Sequence, residues 1–142
     1  MNKDILILAL GSNLGDRQAY IDQAVRRLEE VFGPAVQRTA ALQTQAIGFD
    51  GPAFLDALAV FRCTLEPLEV LAVCKRIERE MGRTDAPEYD PAGNRIYHDR
   101  TIDIDILMYG DRKVSLPELV IPHSAIDTRP YITELLLTLR PL

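Results

Sequence analysis

The sequence has little of what zinc sites, disulfide scaffolds and membrane spans require. Its two cysteines, Cys63 and Cys74, and its two histidines, His98 and His123, lack metal-ligand spacing, so we do not expect a zinc site. The cysteines fit small buried hydrophobic residues in a reducing compartment. No apolar run approaches membrane-spanning length and the first residues do not form a signal peptide, so we expect a cytoplasmic protein.

Basic residues are not in excess either. The chain has 16 Lys and Arg against 21 Asp and Glu, a net charge of -5, which argues against a general nucleic-acid binder. Apolar residues make up 47% and charged residues 26%, as in ordinary globular proteins, and residues 1–142 are expected to form a single domain. A local basic pocket is still possible because Arg83, Arg95, Arg100 and Arg129 all lie in the second half of the chain, where the acidic pair also lies.

Hydrophobic periodicity predicts an α+β fold. Strands are predicted over residues 5–10, 36–45, 54–64 and 100–108, and helices over residues 17–32, 67–81 and 130–139. Asp16 is expected to cap the first helix, and the strand over residues 36–45 is polar enough for an edge. The order β-α-β-β-α-β with a helical tail predicts a ferredoxin-like antiparallel sheet with both main helices on one face.

Two further expectations concern single segments. The second helix should turn one set of residues inward: Leu68, Leu71, Cys74, Ile77 and Met81. Residues 83–97 show no periodicity and are expected to form a long loop, of the kind that often covers an active site.

Paired carboxylates stand on the last predicted strand. Asp103 and Asp105 fall on one side with Leu107, whereas the opposite side carries Ile102, Ile104, Ile106 and Met108. Because the two carboxylates repel each other, they suit a shared divalent cation, and hard oxygen ligands select Mg²⁺. Arg100 adds a planar fork suited to phosphate. The same alternation is also typical of a half-exposed strand with its acidic residues in water.

Three separated segments carry a family resemblance. They are GSNLGDR at residues 11–17, Arg100-x-x-Asp103-x-Asp105, and Pro122-His123 followed by Arg129. In this order the chain resembles the 6-hydroxymethyl-7,8-dihydropterin pyrophosphokinase family from residue 5 to about residue 136. The resemblance implies transfer of the β,γ-pyrophosphate of ATP to the hydroxymethyl group of the pterin, which leaves AMP. It also implies two Mg²⁺ ions and ATP as co-substrate. We expect small-molecule substrates, no nucleic-acid or membrane partner, and a monomer rather than an oligomer.

The same resemblance implies roles for individual residues. Asp103 and Asp105 are expected to bind Mg²⁺ and to act in catalysis with Arg83 and Arg100. The expected ATP-binding set is Glu78, Arg83, Arg100, His123 and Arg129. The expected pterin-binding set is Asn13, Thr44, Ile47, Phe54, Asp56 and Tyr131, in which the two aromatic rings stack on the pterin.

Simpler interpretations stand beside these roles. Glu78 could lie on a solvated helix face, and Arg83 could interact only with the dipole at the end of the second helix. Phe54 and Tyr131 could be core aromatics. Asn13 could be only a turn residue, because asparagine tolerates left-handed backbone geometry.

The chain departs from the family pattern at several positions. Asp56 stands where an asparagine is usual, and a carboxylate can accept hydrogen bonds but not donate them. Asp85 replaces the second arginine of Arg-x-Arg, and His98-Asp99 replaces a small pair before Arg100. Three functions therefore remain open: the pyrophosphokinase itself, a divergent relative acting on another pterin-like substrate, and a non-catalytic ferredoxin-like module. The retained aspartates, Arg100 and His123 favour an enzyme.

Overall fold

The computed structural model describes residues 5–44, 52–82, 88–96 and 101–142. Its helices are α1 (Arg17–Phe32), α2 (Pro67–Glu80), α3 (Ala125–Thr128) and α4 (Pro130–Leu137). Its strands are β1 (Ile5–Ser12), β2 (Gln37–Arg38), β3 (Leu42–Thr44), β4 (Phe54–Arg62), β5 (Glu88–Tyr89), β6 (Arg95–Ile96), β7 (Asp103–Tyr109), β8 (Val114–Ser115) and β9 (Val120–Ile121). In these ranges no helix is long and apolar enough to cross a membrane.

The main sheet is antiparallel and has the order β2-β4-β1-β7, with β3 also paired to β4. Strand β1 is central because its continuous apolar run suits burial on both faces. The single strand expected over residues 36–45 is divided into β2 and β3, and both lie at the sheet margin as expected. The α+β class is confirmed.

The two faces of the sheet are covered differently. The larger core packs α1 and α2 against one face, with Ile21 and Leu28 from α1 and Cys74 and Ile77 from α2. The smaller core packs α3 and α4 against the other face, with buried residues such as Ile132. The long helices therefore share one face, which leaves the other face to the short C-terminal helices.

Local sequence signals set the ends of the helices. The Asp16 carboxylate accepts a hydrogen bond from the Ala19 N–H at 3.1 Å, which confirms the expected cap of α1. The predicted set of inward-facing residues on α2 is wrong at one position, because Leu68 is 48% exposed. Leu68 precedes the buried Val70 by two residues, and two residues turn a helix by about 200°.

The strand β7 contains an irregularity that the alternation does not predict. Ile7 pairs with Met108 and Leu8 pairs with Ile106, so Leu107 is an extra residue. Met108 therefore packs against the smaller core and not with the isoleucines, and its predicted side is wrong. The two aspartates precede the irregularity and keep the predicted alternation.

The expected long loop over residues 83–97 is described only in part. Its residues 88–96 form a hairpin, in which Glu88 pairs with Ile96 and Tyr89 with Arg95. The expectation of a loop without secondary structure is therefore wrong for this part. Arg83 and Arg100 lie outside the described residues.

Candidate active site

Three neighbouring strands place Gly11 between two acidic residues. Gly11 pairs with Asp56 on β4 and with Asp103 on β7. Adjacent strands lie about 4.8 Å apart, so the two acidic residues are roughly 10 Å apart across the sheet. A Cβ atom at Gly11 would lie 2.7 Å from Asp56 Oδ1 and 3.4 Å from Phe54 Cδ1. Glycine therefore leaves the room that these two side chains occupy.

The paired carboxylates lie on the sheet face that carries the smaller core. Asp105 alternates with the isoleucines of the larger core, and its side chain is 34% exposed. Burial raises its pKa well above the ordinary value, and the neighbouring carboxylates of Asp103 and Glu78 raise it further. Acidic side chains on a freely solvated strand would not show this rise. The observation favours a site over a plain solvated face.

His123 is held beside these carboxylates by two backbone hydrogen bonds. Its backbone N–H donates to the Leu107 carbonyl, and its Nδ1 accepts from the Ala125 N–H, each at 2.9 Å. Its Nε2 lies 3.9 Å from Asp105 Oδ1. Burial lowers the His123 pKa, and the Arg129 charge lowers it further. The neutral ring, with Nδ1 as acceptor, carries its proton on Nε2, on the side of Asp105.

Arg129 and Tyr131 connect the two acidic groups. Arg129 Nη1 donates to the Tyr131 hydroxyl at 3.2 Å. The Arg129 charge lowers the pKa of both Asp56 and Asp105 against larger opposing effects. Burial raises the Tyr131 pKa, and the Asp56 charge raises it further. Tyr131 is only partly buried against the smaller core, so its ring keeps an accessible surface.

Asp56 has a neutral partner. The Thr44 hydroxyl on β3 donates to Asp56 Oδ2 at 2.5 Å. Burial raises the pKa of Asp56 to about 6, although the Thr44 hydrogen bond opposes this rise. Phe54, two residues earlier on β4, is also only partly buried, and the strand period directs it to the same face. Both expected pterin-stacking aromatics are therefore partly exposed.

Two side chains from the first motif hold the entry to β4. Asn13 is 1% exposed and its Nδ2 donates to the Pro52 carbonyl at 3.2 Å. Arg17 Nη1 donates to the next carbonyl, that of Ala53, at 2.8 Å. Asn13 is thus more than a turn residue. Sequence reasoning gave Arg17 no role, and its place at the end of the GSNLGDR segment was the only signal.

Glu78 lies on α2, at the edge of β7 that faces away from β1. Its side chain on α2 has no exposed surface, so the solvated-face interpretation is wrong. Its Oε2 accepts a hydrogen bond from the Ile104 N–H at 2.8 Å, and Lys75 Nζ lies 3.6 Å from Oε1. A direct contact with ATP would require Glu78 to leave this buried position.

The carboxylate oxygens of Asp103 and Asp105 are metal ligands that fit Mg²⁺ better than a transition metal. In the described ranges no group of three or more His, Cys, Asp or Glu side chains could hold a metal ion. The nearest arrangement is the carboxylate pair of Asp103 and Asp105. Mg²⁺ commonly takes one or two carboxylates and completes its shell with water and substrate phosphates. Of the other expected site residues, Arg83, Arg100 and Ile47 lie outside the described ranges.

Comparison with known proteins gives a consistent family. Residues 7–141 match 7,8-dihydro-6-hydroxymethylpterin-pyrophosphokinase. A 2-amino-4-hydroxy-6-hydroxymethyldihydropteridine pyrophosphokinase of Porphyromonas gingivalis is 38% identical over 130 residues, which cover 90% of this chain and 85% of that protein. A Bacillus subtilis protein of the same name is 33% identical over 141 residues, covering 98% and 76%. A mitochondrial folate synthesis bifunctional protein of Pisum sativum is 39% identical over 129 residues, covering 89% of this chain and 23% of that protein.

An antiparallel α+β scaffold with an acidic pair beside a histidine and an arginine suits phosphate transfer. The family match covers nearly the whole chain, so the chain belongs to the 7,8-dihydro-6-hydroxymethylpterin pyrophosphokinase family. It is an ATP-dependent diphosphokinase of folate biosynthesis, which transfers pyrophosphate from ATP to hydroxymethyldihydropterin. The expected resemblance and function are confirmed.

Proposed function

We propose that pyrophosphoryl transfer takes place across the row of Asp56, Gly11 and Asp103, with the triphosphate on the β7 side and the pterin on the β4 side. The observation that carries this proposal is the shared strand face of Asp103 and Asp105, with His123 Nε2 at 3.9 Å from Asp105. This arrangement places the two carboxylates beside the N–H group of the neutral His123 ring.

In the reaction the hydroxymethyl oxygen of the pterin attacks the β-phosphorus of ATP. The bond from that phosphorus to the oxygen bridging it to the α-phosphorus breaks, AMP leaves, and the hydroxyl proton is lost. Positioning and charge neutralisation supply most of the catalysis in such transfers. When bound, Mg²⁺ neutralises the triphosphate, and Asp103 and Asp105 are the side chains that would hold it.

The cationic and N–H groups bind the phosphates. Arg129 is a permanently charged donor, and its partial burial strengthens its interaction with an anion. His123 donates from Nε2 without requiring a positive charge. Arg83 and Arg100 are proposed to add further phosphate contacts, as the resemblance implies.

The pterin is proposed to stack between Phe54 and Tyr131. Asp56 lies on the same strand face as Phe54, where it would meet the hydrogen-bonding edge of the heterocycle. The backbone at Thr44 and Ile47 is proposed to complete that edge. Asn13 shapes the pocket through its hydrogen bond to the Pro52 carbonyl.

We also propose that the sheet is the ferredoxin-like arrangement. The supporting facts are the antiparallel pairing of β1, β4 and β7 and the placement of α1 and α2 on one face. A second candidate function, the transfer to another pterin-like substrate, is favoured by the departures from the family pattern at Asp56 and Asp85.

The test is the formation of AMP from ATP in the presence of Mg²⁺ and 6-hydroxymethyl-7,8-dihydropterin. We expect AMP and the pterin diphosphate in equal amounts, and no AMP when the pterin is omitted or the metal is chelated. A related pterin that supports much faster AMP formation would favour the second function. Formation of ADP in place of AMP would contradict pyrophosphoryl transfer.

A further inference from the structure

A fully buried carboxylate is costly unless hydrogen bonds compensate it, and Glu78 is one. It is the one acidic side chain among the buried polar residues of the described part, and it has no exposed surface. Its Oε2 receives the Ile104 N–H at 2.8 Å. Ile104 lies between Asp103 and Asp105, so the buried carboxylate contacts the backbone at the centre of the acidic pair.

The position of β7 explains why such a contact is needed. Among the described strands of the main sheet β7 pairs only with β1, so its outer edge has no strand partner there. In an antiparallel pair, alternate residues direct their N–H groups away from the neighbouring strand. The Glu78 carboxylate supplies the acceptor for one outward N–H, that of Ile104. The Ile104 side chain is packed in the larger core, so this residue is held by both backbone and side chain.

Burying the Glu78 carboxylate is costly, because a charged group loses its hydration there. The contact fixes the backbone of the strand that carries the acidic pair, since its donor is the amide between Asp103 and Asp105. This hydrogen bond therefore indicates a role in the site.

We infer that Glu78 is a positioning residue, which holds the Ile104 N–H and so keeps Asp103 and Asp105 at the spacing needed to share a divalent cation. This inference rests on the proposed metal role of the two aspartates. It gives Glu78 an indirect function, in which it touches neither ATP nor the cation.

Two substitutions at Glu78 separate the effect of side-chain length from the effect of charge. Glu78→Gln keeps the length of the side chain and an acceptor oxygen but removes the charge. Glu78→Asp keeps the charge but withdraws the acceptor by one methylene. Glu80→Asp is a matched control on the same helix, since Glu80 is exposed and pairs with Arg27 at 3.2 Å.

The first readout is hydrogen exchange of the Ile104 amide in the metal-free protein. We expect exchange about tenfold faster in Glu78→Asp, the size expected for one lost hydrogen bond, and less than about threefold faster in Glu78→Gln. The second readout is the calorimetric affinity for Mn²⁺ with a non-hydrolysable ATP analogue. We expect it about tenfold weaker in Glu78→Asp and nearly unchanged in Glu78→Gln and Glu80→Asp.

The outcomes are distinct. Mn²⁺ binding that is weakened in Glu78→Gln but unchanged in Glu78→Asp would mean that charge matters and position does not, and it would overturn the inference. Unchanged Ile104 exchange in Glu78→Asp would also overturn it. If neither Asp103→Ala nor Asp105→Ala changes Mn²⁺ affinity, the metal proposal itself fails, whereas the exchange result still tests the hold on Ile104.

If Glu78→Asp does not fold, the natural protein supplies the test. A hydrogen bond from the Ile104 N–H shifts the ¹³Cδ resonance of Glu78 when that amide is deuterated. The shift is expected, and its absence would overturn the inference.

Discussion

Gly11 separates two acidic sites that the protein treats differently. On the β4 side a single carboxylate, Asp56, receives a hydrogen bond from the neutral Thr44 hydroxyl. On the β7 side Asp103 and Asp105 lie on one strand face, and Glu78 contacts the backbone between them. Burial raises the pKa of Asp105, and the charges of Asp103 and Glu78 raise it further.

This difference follows the chemistry expected of two ligands. A single carboxylate with a fitted neutral donor suits an uncharged heterocycle, whereas clustered carboxylates suit a cation. Arg129, whose charge acts on both Asp56 and Asp105, connects the two sides.

The largest effect is expected on the β7 side. Asp103→Ala or Asp105→Ala should reduce AMP formation about 1000-fold or more, because the metal ligand is lost. The free energy of unfolding should be unchanged or slightly higher, because like-charge repulsion is removed. Rate assays with Mg²⁺ and urea unfolding measure both quantities, with Asp111→Ala as an exposed control. Near-normal turnover in either site variant would show that it is not a metal ligand.

The next effect is expected on the β4 side. Asp56→Asn should tighten pterin binding above pH 7 by up to about a hundredfold, because the amide can donate where the carboxylate only accepts. Below the Asp56 pKa of about 6 the protonated carboxyl can also donate, so the two affinities should converge. Calorimetric titration from pH 5 to pH 8 measures this convergence.

Asp22→Asn is the control for this comparison, since Asp22 is paired with Arg38 on the surface at 2.7 Å. Equal pterin affinity of Asp56→Asn and the natural protein at every pH would remove Asp56 from the pterin site.

A smaller and more selective effect is expected at the entry to β4. Arg17→Met removes the donor to the Ala53 carbonyl, and it should raise KM for the pterin about tenfold while KM for ATP stays unchanged. Arg38→Met is the matched control, because Arg38 also connects a strand to α1 but is bound to Asp22. Equal changes in both KM values would show that Arg17 stabilises the whole fold and not the pterin side.

The smallest effect concerns stability. The folded-state pKa of Asp56, about 6, lies above its ordinary value of 3.8. The folded protein therefore binds more protons between these values, and the Asp56 contribution to stability is lost as pH rises through about 6. After allowance for partial exposure, Asp56→Asn should be about 1–2 kcal/mol more stable than the natural protein at pH 8.

Urea unfolding at pH 8 and at pH 4 measures this difference. At pH 4 the advantage of the amide should almost disappear. An advantage of the same size at both pH values would mean that ionisation of Asp56 does not cause it.

Local patterns predicted what depends on neighbouring residues in the chain. The alternation at Asp103 and Asp105 predicted their shared face, and Asp16 predicted the start of α1. Met108 was misplaced because the irregularity in β7 depends on its pairing with β1. Long-range contacts could not be predicted, because the Arg17 contact spans 36 residues and the Glu78 contact spans 26.

The burial of Glu78 shows the limit most clearly. A glutamate near the end of an amphipathic helix is usually solvated, and the position of α2 against the edge of β7 away from β1 reverses this expectation. Which helices cover which face of the sheet likewise depends on long-range packing, so no single segment predicts it.

The most direct test of the metal side is a crystal structure of the protein with Mn²⁺, a non-hydrolysable ATP analogue and the pterin. Anomalous scattering locates the cations independently of any assumed ligand. We expect two Mn²⁺ peaks, each within coordination distance of Asp103 or Asp105, with the pterin beside Phe54 and Asp56. Mn²⁺ bound to the analogue but to neither aspartate would contradict the central claim that this acidic pair holds the cations for pyrophosphoryl transfer.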